Sequence, residues 1–317
     1  MRLLCALGLF LALLHVTSCL LIGAFNIQCF GTSKSQNKEV MGNITQIVLR
    51  YDIILIQEVL DPDWKFRNIS SEPLPLDRIG HKERYLFLYK KETVSVKGSF
   101  QYDEGKAGVF ERPPFVVKFS STQTGVEFVL IPIHTSPSTA DEAAKKTEKS
   151  KDGYVYKSTV EQLNALVDVV DAAKRKWENN NIMVLGDFNA GSRYVKDKDW
   201  KNIRLFTDKG FHWLIDDSVA TTMAEKTIQT HDRIVVTTEM EKGVVPAEVF
   251  DFREAYHLKE ANKVSDHFPV EVRLKLEWGG KLKPKPKPPK NAGKRRRGSK
   301  DQSYKPRNYK KGHRTSI

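Results

Sequence analysis

The chain has 317 residues, 40% of them hydrophobic, which is enough apolar material for one large folded domain or two small ones and argues against a wholly disordered chain. Its net charge of +13 is unevenly spread: residues 281–317 hold 15 Lys/Arg and one acid, Asp301, for +14, so residues 1–280 sit near −1. The basicity belongs to the C-terminal segment, which excludes reading the body itself as a basic nucleic-acid binder.

Residues 1–19 read as a secretory leader. Arg2 is the charged start, 3–16 the apolar stretch and Thr17-Ser18-Cys19 the small-residue cleavage site. That stretch is shorter than the roughly 20 residues a membrane helix needs. No later run is long enough, and no apolar C-terminal tail suggests a lipid anchor. The chain is expected to be secreted. Cleavage after Cys19 leaves Cys29 alone, so no intrachain disulfide is expected. Asn43-Ile44-Thr45 and Asn68-Ile69-Ser70 are glycosylation sequons open to use on export.

The body then alternates. Residues 20–28 and 52–56 read as strands around a helix over 38–50, whose Val40, Ile44, Ile47 and Val48 fall at helical spacing. Strands follow at 84–89, 94–100, 115–119 and 127–133. A helix over 160–177 carries Leu163, Leu166, Val167 and Val170 on one face. Further strands are read at 182–185, 233–237 and 270–276. This order predicts a layered α/β domain over 20–278 rather than an all-β barrel. Residues 138–157 are charged and apolar-poor, a solvated loop or helix extension. Beyond Trp278, Lys and Pro nearly alternate over 281–290, which predicts an extended, disordered basic tail over 279–317.

Polar side chains recur where apolar runs end: Asn26, Glu58, Glu83, His134, Asp187, Asn189, Asp232, Asp266 and His267. Strand ends that converge would bring carboxylates, amides and two histidines together. A hard cation such as Mg2+ takes one or two carboxylates plus water and substrate oxygens, which Glu58, Asp187 and Asp266 could supply. Each feature has a plainer reading: a solvated strand-end acid for Glu58, a Gly-Asp-x-Asn turn for Asp187 and Asn189, a structural histidine for His134 or His267. Two histidines, each with a candidate carboxylate partner, shift the weighing toward an acid–base pair, since a carboxylate fixes the imidazole tautomer and raises its pKa. Phosphodiester hydrolysis needs both a base for water and an acid for the leaving oxygen. Glu83 and Asp232 are the candidate partners.

From about Leu20 to Leu276 the chain resembles the deoxyribonuclease I family, within the wider metal-dependent endonuclease/exonuclease/phosphatase fold. The resemblance rests on "AFNIQCFG", "YDIILIQEV", "KERYLFLY", "IPIHTSPS", "LGDFNAG", "WKNIRL", "HDRIVV" and "VSDHFPVEV", in order. The Lys/Arg tail is more similar to the gamma branch than to the pancreatic type. The resemblance implies a four-layer sandwich, two packed mixed β-sheets with helices outside. It also implies Mg2+- and Ca2+-dependent DNA endonucleolysis leaving 5′-phosphates. By motif match, Glu83 would orient His134 and Asp232 would orient His267. Glu58, Asp266 and Asn26 would form one metal environment; Asp187 and Asn189 would form the other and contact the scissile phosphate. Arg112 matches a phosphate-contacting arginine. The roles of base and acid stay open between the two histidines, and actin binding does not carry over.

Departures from the family pattern are specific. Ser192 and Gln229 stand where its structural disulfide would be, predicting a less robust fold whose melting ignores reductant. The stretch 59–71 is short by more than a dozen residues, and 138–157 is an insertion. Leu60 and His81 replace a DNA-contacting arginine and tyrosine. Ala220 replaces an acid and the 102–112 loop is short, so the family's structural calcium sites are not transferred. The expected function is a monomeric secreted DNA endonuclease whose tail reaches chromatin or other polyanions, including anionic membranes. Lys294-Arg295-Arg296-Arg297 also resembles a nuclear import signal. Two other readings are a lipid or phosphoinositide phosphodiesterase of the same fold, and an inactive polyanion-binding homologue.

Overall fold

A computed structural model describes residues 19–60, 68–75, 82–103, 105, 108–150, 155–223 and 228–278. Residues 1–18 of the expected leader, His81, most of the 59–71 stretch and all of the expected tail over 279–317 lie outside the described residues.

Two mixed sheets form. The first runs β12–β13–β1–β2–β5–β3, with β4 also paired to β5. Its strands are β1 (Cys19–Phe30), β2 (Ile53–Val59), β3 (Asn68–Ser70), β4 (Leu74–Pro75), β5 (Lys82–Tyr89), β12 (Glu248–Val249) and β13 (Val270–Lys275). The second runs β10–β11–β9–β8–β7–β6. It is built from β6 (Val94–Gln101), β7 (Phe115–Ser121), β8 (Glu127–His134), β9 (Ile182–Asp187), β10 (Phe211–Trp213) and β11 (Asp232–Thr237).

Each sheet has one parallel pair, β1 with β2 and β8 with β9. Parallel neighbours need a crossover, and each crossover is a helix: α1 (Lys38–Leu49) in the first sheet and α3 (Thr159–Trp177) in the second. The Asn37 side chain caps α1 by accepting from Glu39 N and Val40 N. Ser158 and Glu161 form a capping box at the start of α3. The faces buried are those read from spacing: Val40, Ile44, Ile47 and Val48 on α1; Leu163, Leu166, Val167 and Val170 on α3.

Strand alternation sorts the apolar residues into three layers of core. Leu20, Ile22, Ile53, Leu55, Tyr85 and Phe87 of the first sheet meet Val117, Phe119, Phe128, Leu130, Met183 and Leu185 of the second between the sheets. The opposite faces pack under α1 (Leu21, Phe25, Ile54, Ile56) and under α3 (Val116, Val129, Ile131, Val184). This is the four-layer sandwich expected, and it follows from strands that are apolar on both faces. Among the described residues no helix is long and apolar enough to cross a membrane.

The insertion is more ordered than a loop. Residues 140–148 form helix α2 (Ala140–Glu148), started by a Thr139–Glu142 capping box and burying only Ala143. Cys19 and Cys29 are both free thiols.

Candidate active site

Parallel pairing sends both strands of a pair out at the same end of a sheet. Asn26 and Glu58 therefore sit toward the C-terminal ends of β1 and β2, and His134 and Asp187 end β8 and β9 in direct register. Antiparallel β11 begins opposite the same spot, with Asp232 paired to Asp187. His267 lies in the segment entering β13.

Irregular backbone aims the first pair. The register of β1 and β2 slips after Asn26, and that of β2 and β5 slips after Ile56. Gln28, Cys29 and Glu58 all take positive φ, at 52°, 54° and 58°. A bulge turns a side chain out of its regular alternation, and such backbone costs about 1–3 kcal/mol per residue unless its surroundings hold it. Here Glu58 Oε2 accepts from the Cys29 backbone N–H at 2.8 Å and its thiol at 3.2 Å.

Asn26 Nδ2 donates to Glu58 Oε1 at 2.9 Å and Asp187 Oδ2 at 3.1 Å, joining a carboxylate from each sheet. Beneath them is a fully buried glutamine that sequence reading passed over. Gln57 Nε2 donates to Ile133 O at 2.7 Å, and its Oε1 accepts from Asp187 N at 3.0 Å. Gly186 makes room for this bridge. Its φ is +129°, and a Cβ there would meet Ile133 O at 2.5 Å and Gln57 Oε1 at 2.9 Å.

Two histidine–carboxylate pairs flank Asp187. His134 Nδ1 lies 3.0 Å from Glu83 Oε1, and His267 Nδ1 lies 2.8 Å from Asp232 Oδ2. Each ring turns its Nε2 inward, at 3.7 and 3.9 Å from Asp187 Oδ2. Glu83, Asp187 and Asp232 are buried. Burial opposes a proton on His134, as does the Arg112 cation, but Glu83 and Asp187 outweigh both and raise its pKa. Burial opposes protonation of His267 too; Asp232, Asp187 and Asp266 overcome it and push it up to about 10. Burial alone would lift Asp187, yet His267 and His134 hold it below its ordinary value. Glu58 behaves likewise, lowered against burial by His134, Asn26 and Cys29. Burial does win at Asp232, which is raised despite His267.

Three predicted residues occupy less obvious places. Arg112 is buried behind Glu83: its Nε lies 2.8 Å from Glu83 Oε1 and donates to His134 O at 3.0 Å, while Nη2 donates to Thr135 O at 3.0 Å. Asn189 (φ 47°) donates Nδ2 to Thr135 O at 2.9 Å, and its backbone N–H donates to Asp187 Oδ1 at 2.8 Å. Asp266 is exposed at the rim, its Oδ1 4.0 Å from His267 Nε2.

Supporting hydroxyls were not foreseen. Tyr85 accepts from His134 N at 2.8 Å and donates to Arg112 O at 3.2 Å. Thr221 Oγ1 accepts from the N–H groups of His231 and Asp232, both at 3.0 Å. Ser265 donates to Asn26 O at 2.7 Å and accepts from His267 N at 3.0 Å. A third imidazole, His231, stands 6.3 Å from the His267 ring, its Nδ1 buried without a hydrogen-bond partner. Single hydroxyls in motifs dense with Ser and Thr carry no spacing signal that would have singled them out.

Asp187, Asp232 and His267 present ligand atoms that all lie within 4.8 Å of one another. Asp232 and His267 already engage each other; Glu58 and Asp187, both lowered in pKa and bridged by the Asn26 amide, are the carboxylates that could share a hard cation.

Comparison with known proteins agrees with this frame. The model of the Endonuclease/Exonuclease/phosphatase family matches residues 23–267. Human deoxyribonuclease gamma is 40% identical, over 84% of this chain and 89% of its own length. Deoxyribonuclease-1 of Gallus gallus is 40% identical, over 83% and 95%. Among solved structures, the human Nocturnin catalytic domain with bound sulfate superposes with a TM-score of 0.56 over 80% of this chain and 92% of its own, at 14% identity, a likeness of fold alone. The chain belongs to the endonuclease/exonuclease/phosphatase family and, within it, to the deoxyribonucleases.

Proposed function

We propose that this protein is a secreted, divalent-metal-dependent endonuclease that cuts DNA to 5′-phosphate ends by two-histidine acid–base catalysis. The observation that carries the chemistry is the pair of imidazoles turned on one carboxylate, each with its Nδ1 held by a buried acid. The substrate is carried by relatives named deoxyribonuclease at about 40% identity over most of the chain.

With Nδ1 engaged by Glu83 or Asp232, each Nε2 is the atom left to face substrate. A phosphate seated at Asp187 would have one imidazole for water and one for the leaving oxygen. A neutral imidazole takes a proton from water at Nε2 as the water oxygen bonds to phosphorus. The protonated imidazole gives its Nε2 proton to the departing 3′-oxygen, and the 5′ side keeps the phosphate. Glu83 and Asp232 hold the rings and stabilise the imidazolium, and Arg112 holds Glu83 and the His134–Thr135 carbonyls. Asn189 lies beside Asp187 to meet a phosphate oxygen.

The donor set fits Mg2+ or Ca2+: two ionised carboxylates, Glu58 and Asp187, oriented by one Asn26 amide, with Asp266 at the rim. A bound cation would draw charge from the phosphoryl oxygens and offset the carboxylates that raise the histidine pKa values.

The test compares plasmid DNA with phosphoinositide vesicles as substrates and maps the DNA ends. DNA cleavage leaving ligatable 5′-phosphates supports the reading; headgroup release without DNA cleavage would replace it with a lipid phosphodiesterase.

A further inference from the structure

Lys34 stands outside the acid–base set, yet its side chain is anchored in the same place. It belongs to the short helix Thr32–Gln36, which follows the left-handed pair Gln28–Cys29. Its Nζ donates to Ile27 O at 2.7 Å, Gln28 O at 2.7 Å and Val264 O at 2.9 Å. An ammonium has three N–H donors, so all of them are committed to backbone and none remains for a DNA phosphate.

The three carbonyls come from the two edges of the site. Ile27 and Gln28 lie in the β1 bulge that presents Asn26 and the Cys29 N–H to Glu58. Val264 opens the segment that carries Ser265, Asp266 and His267. Ser265 makes the one other tie between these edges described above, to Asn26 O at 2.7 Å. Burial pulls the Lys34 pKa down, and the negative charges of Glu58 and Asp266 oppose that shift. The ammonium thus bridges the seam through its three carbonyl bonds.

We propose that Lys34 is a positioning residue of the active site. Its ammonium is a built-in cation, seated in the Ile27–Gln28–Val264 carbonyl cradle, that fixes the Asn26–Glu58 edge against the Asp266–His267 edge. The inference rests on the endonuclease reading. A lysine that gripped DNA would act on KM and on salt dependence; one that holds the catalytic edges acts on kcat. Arginine cannot replace it, because a planar guanidinium spreads its donors instead of presenting three from one nitrogen.

The test uses the full chain, Lys34→Met and Lys34→Ala, each checked for folding by thermal unfolding. Cleavage of plasmid and of bis(p-nitrophenyl) phosphate is followed in parallel. Lys34→Met is expected to fold and to lose at least about tenfold in kcat, some 1.4 kcal/mol of barrier, with KM and salt dependence near wild type. Added propylammonium should restore Lys34→Ala several-fold, and tetramethylammonium, equal in charge but without N–H donors, should not. Wild-type kcat in Lys34→Met, a change confined to KM, or equal effects of the two amines would overturn the proposal. Variants that stay unfolded even with propylammonium would make Lys34 a purely structural lysine and overturn it too. If the wild type cuts only the small diester, the DNA reading fails while Lys34 is judged on that substrate. If it cuts neither, both fall together.

Discussion

At the scale of the residue, the proposed catalysis rests on two imidazoles whose carboxylate partners were assigned to them only by family resemblance. Each of His134→Ala and His267→Ala should lower cleavage by about 10²–10⁴-fold, the usual span for acid–base catalysis, without unfolding. Leaving groups separate their roles. From a p-nitrophenyl diester the p-nitrophenolate leaves without a proton, so the variant lacking the acid recovers on it and the variant lacking the base does not; equal recovery would contradict the division of labour. The same histidine sets a pH dependence of stability. His267 is lifted from 6.5 to about 10 in the folded, metal-free protein. A group raised on folding contributes fully below its unfolded pKa and loses that contribution as pH rises through its folded one. Denaturant midpoints should therefore fall between about pH 6.5 and 10, and His267→Gln should flatten that fall; parallel slopes would refute it. Sequence alone located the acids and histidines because polar groups at strand ends stand out against apolar runs. It could not pair them, since His134 and Glu83 are 51 residues apart and His267 and Asp232 are 35 apart. Nor could it see that Arg112 points into the protein behind Glu83.

At the scale of the element, the two parallel pairs bring the site together, and Gln57 fastens one pair to the other through Gly186. Gly186→Ala would force a Cβ against Ile133 O at a φ suited to glycine, so a loss of about 1–3 kcal/mol is expected, with activity falling further than stability as Asp187 shifts. A variant of wild-type stability and rate would show the bridge to be dispensable. Leu166 of helix α3 lies instead in the outer core, packed against the second sheet. Leu166→Ala should cost about 2–5 kcal/mol through a buried cavity and leave kcat of the folded fraction unchanged. These elements were readable because period-two and helical spacing both mark buried faces: Val40, Ile44, Leu163 and Leu166 were assigned from spacing alone. The left-handed bulge at Gln28–Cys29 and the backward turn at Glu58 were not, because ordinary residues hold these conformations only through tertiary bonds.

At the scale of the whole molecule, the folded body is near neutral and the charge lies in the tail. Removing residues 279–317 should leave kcat on naked plasmid intact, flatten the salt dependence of DNA binding through lost counterion release, and slow cutting of nucleosomal DNA. An unchanged salt slope would exclude the tail from substrate binding. The proposed activity depends on metal-dependent cleavage by the paired imidazoles. Nicking of supercoiled plasmid by residues 20–317 tests it most directly, with Mg2+ plus Ca2+ or with chelator, beside His134→Ala and His267→Ala. Nicking is expected to be abolished by chelator and reduced by at least about a hundredfold in each variant. Nicking that survives chelation, or persists at the wild-type rate in either folded variant, would contradict it.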